Sequence, residues 1–135
     1  LSPSAPVIEM EVPPRAEFVR TVRLVVAGIG SVARFNLEEI EDLKLAAGEA
    51  CYAALSALQS SQAPVRLSAR VLSEGVELRV GPVSVEGSTL DWPPPDSQVG
   101  LALVEQVVDE LSLESLDGGR WIRILKRHRN LEYPV

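Results

Sequence analysis

The chain contains one cysteine and one histidine among 135 residues, and aromatic side chains make up only 4% of it. The lone Cys51 excludes an internal disulfide and any multi-cysteine zinc site. The lone His128 excludes a two-histidine metal site, and the lack of a serine or cysteine nucleophile in a recognisable motif argues against a hydrolase triad. No apolar run approaches the roughly 20 residues that a membrane span requires. The nearest, Val22 to Ile29, is short and flanked by Arg20 and Arg23. Nothing reads as a secretory leader, so the expected location is cytoplasmic. Basic charge is also scarce: a net charge of -6 and a pI near 4.8 argue against nucleic acid as a partner.

What is present is ordinary for a soluble globular protein, 46% hydrophobic and 24% charged. The length suffices for one domain, residues 1–135, with a proper core. Leu1 to Pro6 and Asn130 to Val135 read as loose tails. Cys51 lies in an apolar stretch and reads as a small core filler rather than a reactive thiol. Lys126-Arg127-His128-Arg129 is a local basic exception and reads as a solvated strand end and tail.

Val7 to Val12 alternates apolar and acidic residues, the period of a half-buried strand ended by Pro13-Pro14. Phe18, Val22, Val25, Val26 and Ile29 then follow helical spacing, and Gly28 and Gly30 should make that helix fade over residues 28–31. Those glycines follow a helix rather than a strand and are no phosphate loop. Asn36 and Glu39 resemble a capping box opening a second helix, with the stripe Ile40, Leu43, Ala47, Ala50, Ala54 and Leu58. Its many alanines would let it lie close to a sheet. Ser60 to Pro64 reads as a loop. Val65 to Leu72 and Val76 to Val83 form a hairpin around Ser73-Glu74-Gly75. After the irregular Glu86 to Gln98, Val99, Leu103, Val107 and Leu111 mark one face of a third helix. Ser112 to Leu116 and Arg120 to Lys126 form a last hairpin around Asp117-Gly118-Gly119. The expected fold is α+β, a two-layer α/β sandwich: a mixed, mostly antiparallel sheet with three helices on one face.

The richest segment is Leu43 to Ala54, a largely apolar helix carrying one acid, Glu49. A carboxylate there needs a partner or a task, because an unpaired buried charge is costly. Glu49-Ala50-Cys51-Tyr52-Ala53-Ala54 resembles the signature helix of the anti-sigma-factor serine kinases, which reads Glu-Ala-x-x-Asn-Ala. The acidic run Leu37 to Leu45, with Glu38, Glu39, Glu41 and Asp42, looks like the lead-in to that helix. Gly100 to Glu105 with Asp109-Glu110-Leu111 looks like the family's second glycine box and its helix, and Gly119 to Ile124 like its last strand. The resemblance covers nearly the whole chain and implies the Bergerat fold of the histidine-kinase-like ATPases.

The resemblance also implies ATP and magnesium as cofactors, a homodimer, and a sigma factor or an anti-anti-sigma protein as partner. Glu49 falls where the family has its general base. One helical turn on, the family's magnesium-holding Asn falls at Ala53, and a methyl group ligates no metal. The adenine-reading Asp falls at Pro82, which has neither a carboxylate nor an N–H. The second glycine box keeps only Gly100, and a nucleotide-facing Thr falls at Trp121, whose bulk would fill the pocket.

Each feature has a plainer reading. Glu49 is either a base at the pocket floor or a carboxylate that reaches solvent or pairs with an arginine. Glu86 to Gln98 is either a nucleotide lid or a surface loop stiffened by Pro93-Pro94-Pro95, with Trp92 anchoring it on the core or standing exposed toward a partner. Arg20 is a solvated helix arginine or part of a partner-facing surface. The expected function is an anti-sigma-factor-like regulator acting by protein–protein binding, its kinase activity lost. The alternatives are an active serine/threonine kinase with an atypical pocket, and a module that only dimerises.

Overall fold

The computed structural model describes residues 5–57, 62–85 and 92–129. Strand β1 (Val7–Val12) leads through a short 3-10 turn (Ala16–Phe18) into α1 (Val19–Val32), followed by α2 (Leu37–Ala57). The hairpin β2 (Val65–Leu72) and β3 (Gly75–Val85) comes next, then a 3-10 turn (Pro95–Ser97), α3 (Gln98–Val107), and the hairpin β4 (Glu110–Leu116) and β5 (Gly119–Arg127). The sheet order is β1-β2-β3-β5-β4. The α+β class stands, and in detail every pairing in the sheet is antiparallel rather than mixed.

The capping box forms reciprocally. The Glu39 N–H donates to Asn36 Oδ1 and the Asn36 N–H to Glu39 Oε1, both at 2.8 Å, fixing the start of α2. Helix α1 does not fade at its glycines but continues to Val32. Gly30 is buried where a β-carbon would lie 3.0 Å from the Ile40 side chain, so its cost in propensity is offset by close helix packing. Of the expected tails, residues 1–4 and 130–135 lie outside the described residues, as does Leu58. Pro6 is tied down, its carbonyl accepting the Val71 N–H at 3.0 Å.

The core lies between the helices and one face of the sheet. Leu43, Ala46, Ala50 and Ala53 of α2 meet Leu78 and Val80 of β3 and Ile122 and Ile124 of β5, all fully buried. Alanines on that face bring the α2 backbone close to the sheet. Helix α3 is turned differently from the expected stripe: Leu101 and Val104 are buried, while Val99 and Leu103 are exposed. It also ends at Val107, and β4 starts at Glu110, so Leu111 belongs to a strand.

The basic cluster is solvated only in part, Arg129 being exposed and Lys126 buried. Lys126 is 2% exposed, and its Nζ donates to the Val107 carbonyl at 2.6 Å and to Asp42 Oδ2 at 3.1 Å. A cation at that carbonyl suits the negative end of α3. Arg129 binds Glu38 and Asp42 through its guanidinium, and its N–H donates to Glu39 Oε2 at 2.7 Å. The acidic lead-in of α2 and the basic end of β5 therefore neutralise each other.

Candidate functional site

Helix α2 carries Glu49 and Ala53 one turn apart, and the first turn of α3 brings Gly100 against Glu49. A β-carbon on Gly100 would overlap Glu49 Oε1, so the carboxylate occupies the space that the glycine leaves open. Glu49 is half-buried and has no hydrogen-bond or ion-pair partner among the described residues. The positive end of α3 is the favourable surrounding it has. No arginine pairs with it among the described residues, and its carboxylate reaches solvent, since no side-chain oxygen among them is both buried and without a partner. Ala53 is fully buried in the core and offers no polar atom.

Pro82 sits in β3 where the pairing with β5 shifts between Val80 and Ser84. It is half-buried and lies beside Gly119, on which a β-carbon would come within 3.3 Å of the proline Cβ. Sequence reasoning missed the polar pair at this end of the sheet: buried Ser84 Oγ accepts a hydrogen bond from Arg120 Nε at 2.7 Å. Only the register across the β-bulge brings those two side chains together.

Trp121 does not fill the cleft. Ile122 and Ile124 of β5 face the helices, so Trp121 points to the opposite face. There its ring lies against Gly81, where a β-carbon would meet Cδ2 at 3.0 Å, and beneath the Arg66 guanidinium, 5.7 Å from the ring centroid. The error is one of register, since a slip of one residue moves a side chain across the sheet. Period-two alternation was the available signal, but β5 mixes basic and apolar residues on both faces and blurs it.

The open face is a charged layer. Glu77, 6% exposed, accepts hydrogen bonds from Arg79 Nη1 and Arg123 Nε, both at 2.7 Å, with Arg70 at 3.6 Å. Arg79 also binds Glu114, and Arg123 binds Glu110. Burial alone would raise the Glu77 pKa, but the hydrogen bonds and charges of Arg123 and Arg79 outweigh it and hold the carboxyl below its ordinary value. Cys51 is buried in the core, and desolvation pushes its thiol up to about 12 against a smaller opposing pull from Arg23.

Residues 86–91, the first part of the segment read as a lid or stiff loop, lie outside the described residues. Trp92 is half-buried against the core, as an anchoring residue would be. Arg20 is exposed on α1.

Magnesium-bridged ATP would need oxygen ligands around the cation. Of the positions that match the family's ligands, 49 carries a carboxylate, 53 a methyl group and 82 a proline. No group of three acidic, histidine or cysteine side chains converges there or elsewhere among the described residues. Ala53 and Pro82 offer such a complex no side-chain oxygen.

A family model described as a histidine kinase-like ATPase domain matches residues 12–126. The chain is similar to the serine-protein kinase RsbW of Bacillus velezensis, 31% identical over 114 residues that make up 83% of this chain and 69% of that protein. With RsbW of Bacillus subtilis strain 168 it is 32% identical over 111 residues, 81% of this chain and 68% of that one. With RsbW of Bacillus cereus strain AH187 it is 27% identical over 128 residues, 82% and 79% of the two chains.

Proposed function

Because the chain belongs to the histidine kinase-like ATPase domain family and is similar to the serine-protein kinase RsbW, we propose that it is a regulator of the anti-sigma type that works by binding and not by phosphoryl transfer. One observation carries this reading: Ala53, one turn from Glu49, is fully buried and presents no oxygen to a metal. Sequestration of a partner requires no nucleotide, so a cleft that cannot assemble a magnesium site is compatible with it. The partner is a sigma factor or an anti-anti-sigma protein, docked on the first helix and adjoining loops, in the cytoplasm, with the regulator as a homodimer. Support for that surface comes from Leu24 of α1, 69% exposed and one turn from Arg20.

Calorimetric titration with ATP and ADP, with and without magnesium, tests the first half of the proposal, and no heat is expected at millimolar nucleotide. Capture of sigma factors from the native host tests the second half, and failure to retain any would remove it. A second reading has one observation in its favour, the unpartnered Glu49 carboxylate poised at α3. In that reading the chain is an active serine kinase with Glu49 as base, and labelled phosphate would pass to a partner protein unless Glu49→Gln is introduced.

A further inference from the structure

A cleft of about 490 Å³ opens where α1 ends, α2 begins and β2 turns into β3. Its size falls within the range of small-molecule sites. It is separate from the nucleotide cleft: Glu39 in its wall and Glu49 lie about 15 Å apart along the axis of α2. Val32, Val71 and Leu72 give it apolar walls, and Arg34, Ser73 and His128 are among its polar groups.

Three observations identify its charge preference. First, α1 closes with the Phe35 N–H on the Gly30 carbonyl and the Arg34 N–H on the Ser31 carbonyl, and Arg34 adopts φ 66°. That closing position favours glycine or asparagine, so an arginine is there against the backbone preference. Second, Arg34 has no ion-pair or hydrogen-bond partner among the described residues, whereas nearby Arg127 and Arg129 are taken up by Glu74, Glu110, Glu38 and Asp42. Third, the acid in the wall, Glu39, is already occupied: Oε1 accepts the Asn36 N–H and Oε2 the Arg129 N–H. His128 is held by its N–H on the Glu74 carbonyl and by an edge-on contact with Phe35 at 4.9 Å, which leaves its ring nitrogens without a protein hydrogen bond among the described residues.

We propose that this cleft binds an organic carboxylate, its anionic head on Arg34 and His128 and its apolar body on Val32, Val71 and Leu72. The carboxylate can belong to a free small acid or to an acidic side chain between apolar neighbours on a peptide. The proposal is independent of what the nucleotide cleft does.

Titration of the ¹⁵N-labelled chain with benzoate, read at the amides of Arg34, Asn36 and Ser73, tests it. Saturable shifts are expected with benzoate and not with neutral benzamide. Arg34→Gly should weaken binding about tenfold, the loss of one charge-assisted hydrogen bond. Glycine suits the backbone there, so the variant should unfold at an equal or higher midpoint, which separates lost binding from lost structure. Parallel titration with the capped tripeptide leucyl-glutamyl-leucine and its glutaminyl counterpart distinguishes the sources. Tighter binding of the glutamyl peptide than of benzoate assigns a peptide, and the reverse assigns a free acid. No saturation by either acid at millimolar concentration, equal binding of benzamide, or unchanged binding in Arg34→Gly would overturn the proposal.

Discussion

Gly100 and Glu49 share one volume: the glutamate carboxylate of α2 stands where a side chain on the first turn of α3 would be. Gly100→Ala should therefore displace the flexible end of the Glu49 side chain and gain less than the roughly 0.5–1 kcal/mol that alanine brings to a helix. In a Glu49→Ala background the same change should stabilise, because only the propensity term remains. Urea unfolding of the four proteins in a double-mutant cycle reads the coupling, and additive effects would show that the two residues do not touch.

The Glu77 carboxyl is held below its ordinary value in the folded protein. Its contribution to stability is thus present above the unfolded carboxylate pKa of about 4.3 and is lost as pH falls through the lower folded value. Glu110 shifts in the same direction, mainly through its hydrogen bond from Arg123. Urea midpoints should drop on going from neutral pH to below about pH 4. Glu77→Gln should lower the neutral midpoint and flatten that dependence. An unchanged slope in the variant would remove Glu77 from the account.

Lys126 joins α2 to the end of α3 from within the core. Lys126→Met should cost about 1–2 kcal/mol, less than an orphaned buried charge, because Asp42 keeps Arg129. Combining it with Arg129→Met should cost more than the two single changes together. Additivity in denaturant unfolding would mean that Asp42 is not shared.

The Cys51 thiol, pushed up to about 12 and buried, should not react with a thiol reagent at pH 8 in the native protein. Full reaction should follow denaturation, and fast labelling of the folded protein would contradict the burial.

Ala53→Asn places an amide in a fully buried position. It should destabilise by about 2–3 kcal/mol and leave magnesium-dependent nucleotide binding absent, since Pro82 also stands against the nucleotide. Micromolar binding in that single variant would show the cleft to be one residue from function.

Most elements were legible because their signals were local. Val7–Val12 was given by alternation, the start of α2 by Asn36 and Glu39, and both hairpins by their turn residues. What misled was one-residue phase. Val99 and Leu103 make a plausible helical stripe, but Leu101 and Val104 are the pair that the fold buries. Trp121 was assigned to the cleft by an alignment that could not see which way β5 faces. The fate of Lys126 and Arg129 was illegible for another reason: their partners on α2 lie more than 80 residues away in sequence. The motif at Glu49 was readable, but its setting against Gly100 depends on where α3 docks.

The mutual neutralisation of the β5 end and the α2 lead-in bears on how the molecule meets others. The most basic stretch of the chain is paired with acids of α2, so it presents little free positive charge on a molecule whose net charge is -6. Two copies therefore repel at a distance, and self-association should strengthen as ionic strength rises and shortens that repulsion. A positively charged partner would be drawn in most strongly at low salt, so the two kinds of assembly should respond to salt in opposite directions.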